Sequence, residues 1–363
     1  MQFARRSELH SPYIESLKHQ PSARFDLSSS GVQRIGLGEL GVKIDELELS
    51  GSSAYGDEEL LGLIAARAGV PSECVVLSMG TTLANHVAMA ALFDAGDEVL
   101  IEQPTYDPLI YTARLLGAEI RRLPRREENG FGVDLDELRR AMTPRTRAIV
   151  LCNLHNPTSA RIGEEELRAI GEIAAGVGAR VLVDEVYRET VWGEEKRHAF
   201  SLGGNFVVTS SLTKAFGLGG LRCGWILAEP ELAGRMRRMQ ELYHGDHVYM
   251  AERLSIIALR SLASLESRAR RRLDANRDCA AEMLAAHSKV RAKVYEFGTT
   301  VALRLPRSSA DEFCKLLSRY EVAAASGAYF EMPQYIRIGL GGEPELFREG
   351  LARILQALDE FGG

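Results

Sequence analysis

Lys214 stands in the run Ser210-Ser211-Leu212-Thr213-Lys214-Ala215-Phe216-Gly217-Leu218-Gly219-Gly220-Leu221-Arg222, after apolar residues and before a glycine-rich turn. A lysine is strongly hydrated in water, so a half-buried one loses proton affinity and becomes a nucleophilic amine. The glycines let backbone approach a ligand closely. Ser211 and Arg222 offer a hydroxyl and a fixed cation to a phosphate. Taken alone, the segment is equally compatible with a surface lysine on a flexible loop.

Other segments add matching chemistry. Val183-Asp184-Glu185-Val186-Tyr187 puts an acid at the end of an apolar strand, where ligands collect in open α/β sheets. An acid there suits a pyridine nitrogen, because the protonated ring is the stronger electron sink; a strand-end Asp is otherwise a helix cap or metal ligand. Asn156, in Asn153-Leu154-His155-Asn156-Pro157-Thr158-Ser159, and Tyr187 can bind a ring's phenolic oxygen, although Asn-Pro alone is a turn signal. Gly80, Thr81 and Thr82 fall where a strand gives way to an apolar helix. Free amides and the positive helix end there attract phosphate. Tyr106 follows another strand and can stack on a planar ring. Nucleophilic lysine, strand-end acid, phenolic-oxygen donors and phosphate cradle together describe a site for pyridoxal 5′-phosphate.

These residues need a scaffold. Asp57 is placed to cap a helix through Ala68, and further helices are expected over Ala84–Phe93, Pro108–Gly117, 163–176 and 231–243. Continuous apolar runs at Val75–Leu77, Glu98–Ile101, Ala148–Leu151, Val181–Val183 and Phe206–Val208 read as strands covered on both faces. The alternation predicts an α/β fold with a mostly parallel central sheet. Beyond it, long helical stretches over 249–287, strands at Thr300–Leu303 and Tyr335–Ile338, and a helix over Pro344–Phe361 read as a smaller α+β domain. The expected division is a large domain over 46–275 and a small one over 1–45 plus 276–363. Ser28–Gly56 reads as a polar linker, from which Ser28–Gly31 and Arg34 are expected near a substrate.

The 363 residues carry 44 Lys and Arg against 50 Asp and Glu, a net charge of −6, which argues against a nucleic-acid partner. Arginine clusters at 121–126 and 268–272 are the candidate anion patches, diluted by acids or by helical spacing. Five scattered cysteines suggest buried free thiols in a reducing compartment. Neither an apolar leader in Met1–Glu8 nor a membrane-length segment is seen, so a cytoplasmic location away from membranes is expected. No metal site is expected. His244 and His247 are spaced for ligation or base chemistry, but dimer packing or a helix capped by Asp246 is the favoured reading. No Gly-x-Gly-x-x-Gly follows the first strand, which argues against a dinucleotide enzyme.

The order Tyr55-Gly56, Gly80-Thr81-Thr82, Pro104-Thr105-Tyr106, Asn156-Pro157-Thr158, Asp184-Glu185-Val186-Tyr187, Ser211-Leu212-Thr213-Lys214, Arg222 and Arg337-Ile338-Gly339 resembles class I/II aminotransferases of pyridoxal phosphate fold type I. The resemblance implies Lys214 as the Schiff-base lysine, Asp184 on the pyridinium nitrogen, and Asn156 with Tyr187 on the phenolic oxygen. Tyr106 would stack on the ring. Gly80, Thr81, Thr82, Ser211 and Arg222 would hold the phosphate, joined by Tyr55 from a second subunit of a homodimer. Arg337 would clamp the substrate carboxylate, with Asn156 and Gly31 beside it. The implied reaction moves an amino group between an amino acid and a 2-oxo acid; elimination, cyclisation or oxidation of an amino acid on the same scaffold is the alternative, and a non-catalytic binding protein a more distant one. Ser159 departs from the family's usual glycine and is expected to alter the loop near the substrate.

Overall fold

The computed structural model describes residues 6–43, 47–51, 53–193, 197–306 and 309–361. The domain boundary expected at residues 45 and 46 falls outside them. Strands β1 (Phe25–Asp26), β2 (Val75–Met79), β3 (Glu98–Gln103), β4 (Glu119–Pro124), β5 (Thr146–Cys152), β6 (Arg180–Asp184), β7 (Phe206–Ser211) and β8 (Cys223–Leu227) are followed by β9 (Arg291–Ala292), β10 (Thr300–Arg304), β11 (Val322–Ala323), β12 (Ala325–Ser326) and β13 (Tyr335–Gly339). Seven of them form one sheet in the order β2-β8-β7-β6-β5-β3-β4. Within it β8 runs antiparallel to both neighbours, and the other pairings are parallel.

Side-chain alternation explains why these strands are apolar throughout. Leu100, Ile149, Leu151, Val181, Val183 and Val208 enter one buried core, while Val99, Ile101, Ala148, Val150, Leu182 and Val207 enter another on the opposite face. Helices therefore cover both sides, as the α/β expectation requires. A second sheet, β12-β13-β10-β9, is antiparallel, and β1 pairs with β11. Helix Leu262–Ala285 and helix Pro344–Phe361 pack over a separate core around Val301, Leu303, Ile336 and Ile338.

Most expected helices form, with shifted ends. Helices α1 (Pro12–His19), α2 (Glu58–Ala68), α3 (Thr81–Leu92) and α4 (Asp107–Leu115) matter most here. Asp57 caps α2, its carboxylate accepting from the amides of Glu59 and Leu60. The helix expected from Ala84 begins at Thr81, directly after Gly80 turns the chain at φ 85°. The 249–287 stretch is two helices, Tyr249–Arg260 and Leu262–Ala285. Asp246 does not cap the first: its N-cap is Val248, with no side-chain bond. Ser28–Gly56 is more than a linker, since Ser28 and Ser30 are buried and the Ser30 carbonyl accepts from Thr299 Oγ1 at 2.7 Å. The arginine clusters are engaged internally: Arg122 with Glu331, Arg125 with Glu102, Arg126 with Glu137, Arg268 with Glu39 and Arg272 with Glu343. Among the described residues no helix is long and apolar enough to cross a membrane.

Candidate active site

Five parallel strands end at the same edge of the large sheet, and each delivers one motif there. Gly80–Thr82 follows β2, Tyr106 follows β3, Asn156 follows β5, Asp184 closes β6, and Ser211 with Lys214 follows β7. Because β8 runs the other way, its first residues start where the others finish, which brings Arg222 to that same edge. Lys214 is half-buried, and its amine donates to Ser30 Oγ at 2.8 Å. Burial, reinforced by Arg337, pulls its pKa down to about 8, against the pull of Asp184. Asp184 is buried, and that desolvation pushes its carboxyl up to about 6. Its Oδ2 accepts from Asn85 Nδ2 at 2.8 Å and its Oδ1 from the Val186 amide at 3.1 Å. Thr209 Oγ1 holds the far end of Asn85, donating to Oδ1 at 2.6 Å.

At the other end of the cluster, Gly80, at φ 85°, leaves room that a Cβ would take from Arg222: it would lie 2.3 Å from that guanidinium. Arg222 donates to the carbonyls of Met79 and Gly219. Thr81 Oγ1 is buried with no hydrogen-bond partner among the described residues, while buried Ser211 accepts from the Thr213 amide. A cation, an orphaned hydroxyl and the start of a twelve-residue helix fit a phosphate. We expect Gly80→Ala to force Arg222 aside and strain the turn by about 1–3 kcal/mol. Equilibrium dialysis should then show cofactor affinity falling at least roughly tenfold, and an unchanged affinity would refute this cradle.

Arg337 reaches the cluster from β13, fully buried. Its NH1 donates to Asn156 Oδ1 at 3.1 Å, and its NH2 to Tyr13 Oη at 2.7 Å and to the Ser28 carbonyl at 2.6 Å. The guanidinium lies over the rings of Tyr13 and Phe330, 5.2 and 4.8 Å from their centroids. Its Nε has no partner, and among the described residues no carboxylate pairs with it. A buried guanidinium held by neutral acceptors fits an incoming carboxylate. Tyr187 is buried, and that burial pushes its hydroxyl well above its ordinary value. Gly31 packs directly on Lys214, whose Cα would lie 3.4 Å from an added Cβ.

Two expected residues stand apart. Tyr55 is exposed and donates to Glu241 Oε1 at 2.6 Å rather than joining this chain's own cluster, and Arg34 is exposed. His244 and His247 pack ring on ring at 4.7 Å beside Tyr55. Among the described residues no group of three or more His, Cys, Asp or Glu is arranged for a metal. Ser159 adopts φ 67° and is tied into β10, its Oγ donating to the Thr300 carbonyl at 2.8 Å. Gly298 makes room for it, since a Cβ there would come 2.4 Å from Ser159 Oγ. The departure thus pins the Asn156 loop to the second sheet.

Residues 49–354 match the family described as aminotransferase class I and II. The chain belongs to this family and is a pyridoxal 5′-phosphate-dependent enzyme of fold type I. It is similar to capreomycidine synthase of Streptomyces vinaceus, 31% identical over 351 residues, 93% of this chain and 90% of that one. It also resembles arginine–pyruvate transaminase of Pseudomonas aeruginosa, 29% identical over 81% of this chain and 77% of that one. Among solved structures, a pyridoxal phosphate-dependent aminotransferase from Streptococcus suis superposes with a TM-score of 0.92 at 26% identity, over 99% of both chains. The pyridoxal phosphate-dependent cyclase OrfR superposes with a TM-score of 0.89 at 28% identity, over 99% of this chain and all of that one.

Proposed function

We propose that this enzyme transfers the amino group of an α-amino acid to a 2-oxo acid, with Lys214 holding pyridoxal 5′-phosphate. The observation that carries the reading is the pairing of a half-buried, low-pKa Lys214 amine with a buried Arg337 that lacks a carboxylate partner among the described residues. When bound, the cofactor supplies an electron sink conjugated to the substrate's α-carbon. Arg337 holds the carboxylate and so fixes which face of that carbon meets Lys214. Lys214 Nζ, with a pKa of about 8, has a basic form accessible near neutral pH to take and return the α-proton. Asp184, held by Asn85 and Val186, keeps negative charge against the ring nitrogen. Tyr187 and Asn156 serve the phenolic oxygen, Tyr106 stacks on the ring, and Gly80, Thr81, Thr82, Ser211 and Arg222 bind the phosphate.

A homodimer with Tyr55 donated across its interface completes the proposal. Leu49, Tyr55, Leu242, Tyr243 and Val248 all expose apolar surface, and Tyr55 shares a cavity with Glu241 and His244. The division into a 46–275 domain and a domain of 1–45 plus 276–363, and a cytoplasmic location, belong to the same proposal.

The near full-length likeness to a capreomycidine synthase and a cyclase favours one second reading, cyclisation or elimination within a single substrate. Mixing the loaded enzyme with single amino acids and no acceptor separates the two. Transfer predicts one equivalent of 2-oxo acid per active site and then a halt until a 2-oxo acid is added. Continuing turnover to ammonia or to an altered side chain would overturn it in favour of the second reading.

A further inference from the structure

The N-terminal helix α1 brings a hydroxyl to the most deeply buried cation of the site. Ser11 caps α1, and the helix start is fastened to Asp107 at the head of α4: Ser11 Oγ donates to Oδ1 at 2.7 Å and the Tyr13 amide to Oδ2 at 3.0 Å. Tyr13 is thereby driven inward until it is 3% exposed, edge-on to Tyr106 at 5.8 Å and against Phe330 at 5.0 Å.

The hydrogen count on Arg337 gives this placement its meaning. A guanidinium has five N–H donors, and a carboxylate taken as a fork uses either the NH1 and NH2 pair or the Nε and NH2 pair. Both forks need an NH2 hydrogen. Both NH2 hydrogens are already engaged, one by the Ser28 carbonyl and one by Tyr13 Oη. Ser28 lies just past β1 in a segment held on both sides, where the neighbouring Leu27 amide donates to the Ala323 carbonyl and the Leu27 carbonyl accepts from the Gly339 amide. It cannot yield. Tyr13 can share: its oxygen accepts from Arg337, so its own hydrogen is left over, and no acceptor for it occurs among the described residues.

We propose that Tyr13 is a specificity-determining residue whose hydroxyl donates to one oxygen of the substrate α-carboxylate while Arg337 NH1 donates to the other, making α1 part of the substrate site. This rests on the reading of Arg337 as the carboxylate clamp. It explains why the guanidinium leaves Nε and one NH1 hydrogen unengaged while spending an NH2 hydrogen on a neutral phenol.

Titrating the cofactor-loaded enzyme with L-alanine, and separately with ethylamine, tests this through the cofactor absorbance band. Tyr13→Phe keeps the ring and removes the hydroxyl. L-alanine should then bind roughly tenfold or more weakly while ethylamine, which lacks the carboxylate, is unaffected. Combining Tyr13→Phe with Arg337→Lys should weaken L-alanine by less than the product of the two separate losses, because Arg337 NH2 orients the Tyr13 hydroxyl that meets the same carboxylate. Equal weakening of both ligands would assign Tyr13 a packing role and overturn the inference. So would full affinity for L-alanine in Tyr13→Phe when Arg337→Lys has lost it, leaving the clamp intact. Full affinity in Arg337→Lys would instead overturn the clamp itself.

Discussion

Lys214→Ala is expected to lower turnover by roughly 10²–10⁴-fold, the usual loss when a positioned acid–base group is removed. The variant should also lose the cofactor absorbance band that depends on the lysine linkage, even at saturating pyridoxal phosphate. Full turnover, or an unchanged band, would remove Lys214 from the centre of the site. The same residue leaves a signature in the protein without cofactor. Its pKa is about 8 in the folded chain against 10.5 in the unfolded one. Between those values the unfolded state binds more protons, so stability rises with pH from about 8 to 10.5, and the penalty is fully present below 8. Lys214→Ala should abolish that rise, which denaturant titrations across the window will show.

Asp184→Asn is the second large effect. Both carboxylate oxygens face N–H donors, Asn85 Nδ2 on one side and the Val186 amide on the other. An amide at 184 must turn its own NH₂ toward one of them, so the substitution removes the charge and also sets donor against donor. In the proposed site the lost charge would have faced the cofactor's protonated ring nitrogen; breaking such a buried pair costs about 3–5 kcal/mol, and we expect turnover to fall by roughly 10²–10³-fold. Asp184 also raises the proton affinity of Lys214. The variant's Lys214 should therefore titrate below about 8, and a pH profile that does not move downward would separate Asp184 from this role. Asp184→Glu, which restores the charge, should recover part of the rate.

Much of the site could be read along the chain because its pieces are local. Each motif follows an apolar strand, and the strands were visible as unbroken Val, Leu and Ile runs. β4 and β8 were not. β4 is an edge strand carrying Glu119, Arg121 and Arg122, so its polar pattern hides it. β8 begins directly after the glycine-rich run that ends at Arg222, with Cys223 and Gly224 opening it, so no unbroken aliphatic run marks it. The missed participants are those that only distant pairing reveals. Ser30 meets Lys214 across 184 residues, Asn85 meets Asp184 across 99, and Tyr13 meets Arg337 across 324. Asn85 lies only three residues past Thr82, yet its side chain points at the acid. No local periodicity encodes such contacts. A buried Ser, Asn or Tyr carries no pattern until the sheet order brings its partner to it.

The Ser28–Ser30 segment bears on which molecules the enzyme is expected to accept. One end touches Arg337 through the Ser28 carbonyl, and the other touches Lys214 through Ser30 Oγ. Arg337 belongs to the small antiparallel sheet and Lys214 follows a strand of the large one. Three residues of backbone therefore act as a length standard set between the two sheets. With Arg337 and Lys214 in the roles proposed above, a ligand would be measured against that standard by the spacing of its carboxylate and its amine. We expect α-amino acids to convert the cofactor band and β-alanine and γ-aminobutyrate to leave it unchanged, and conversion by all three would show that the segment sets no such length.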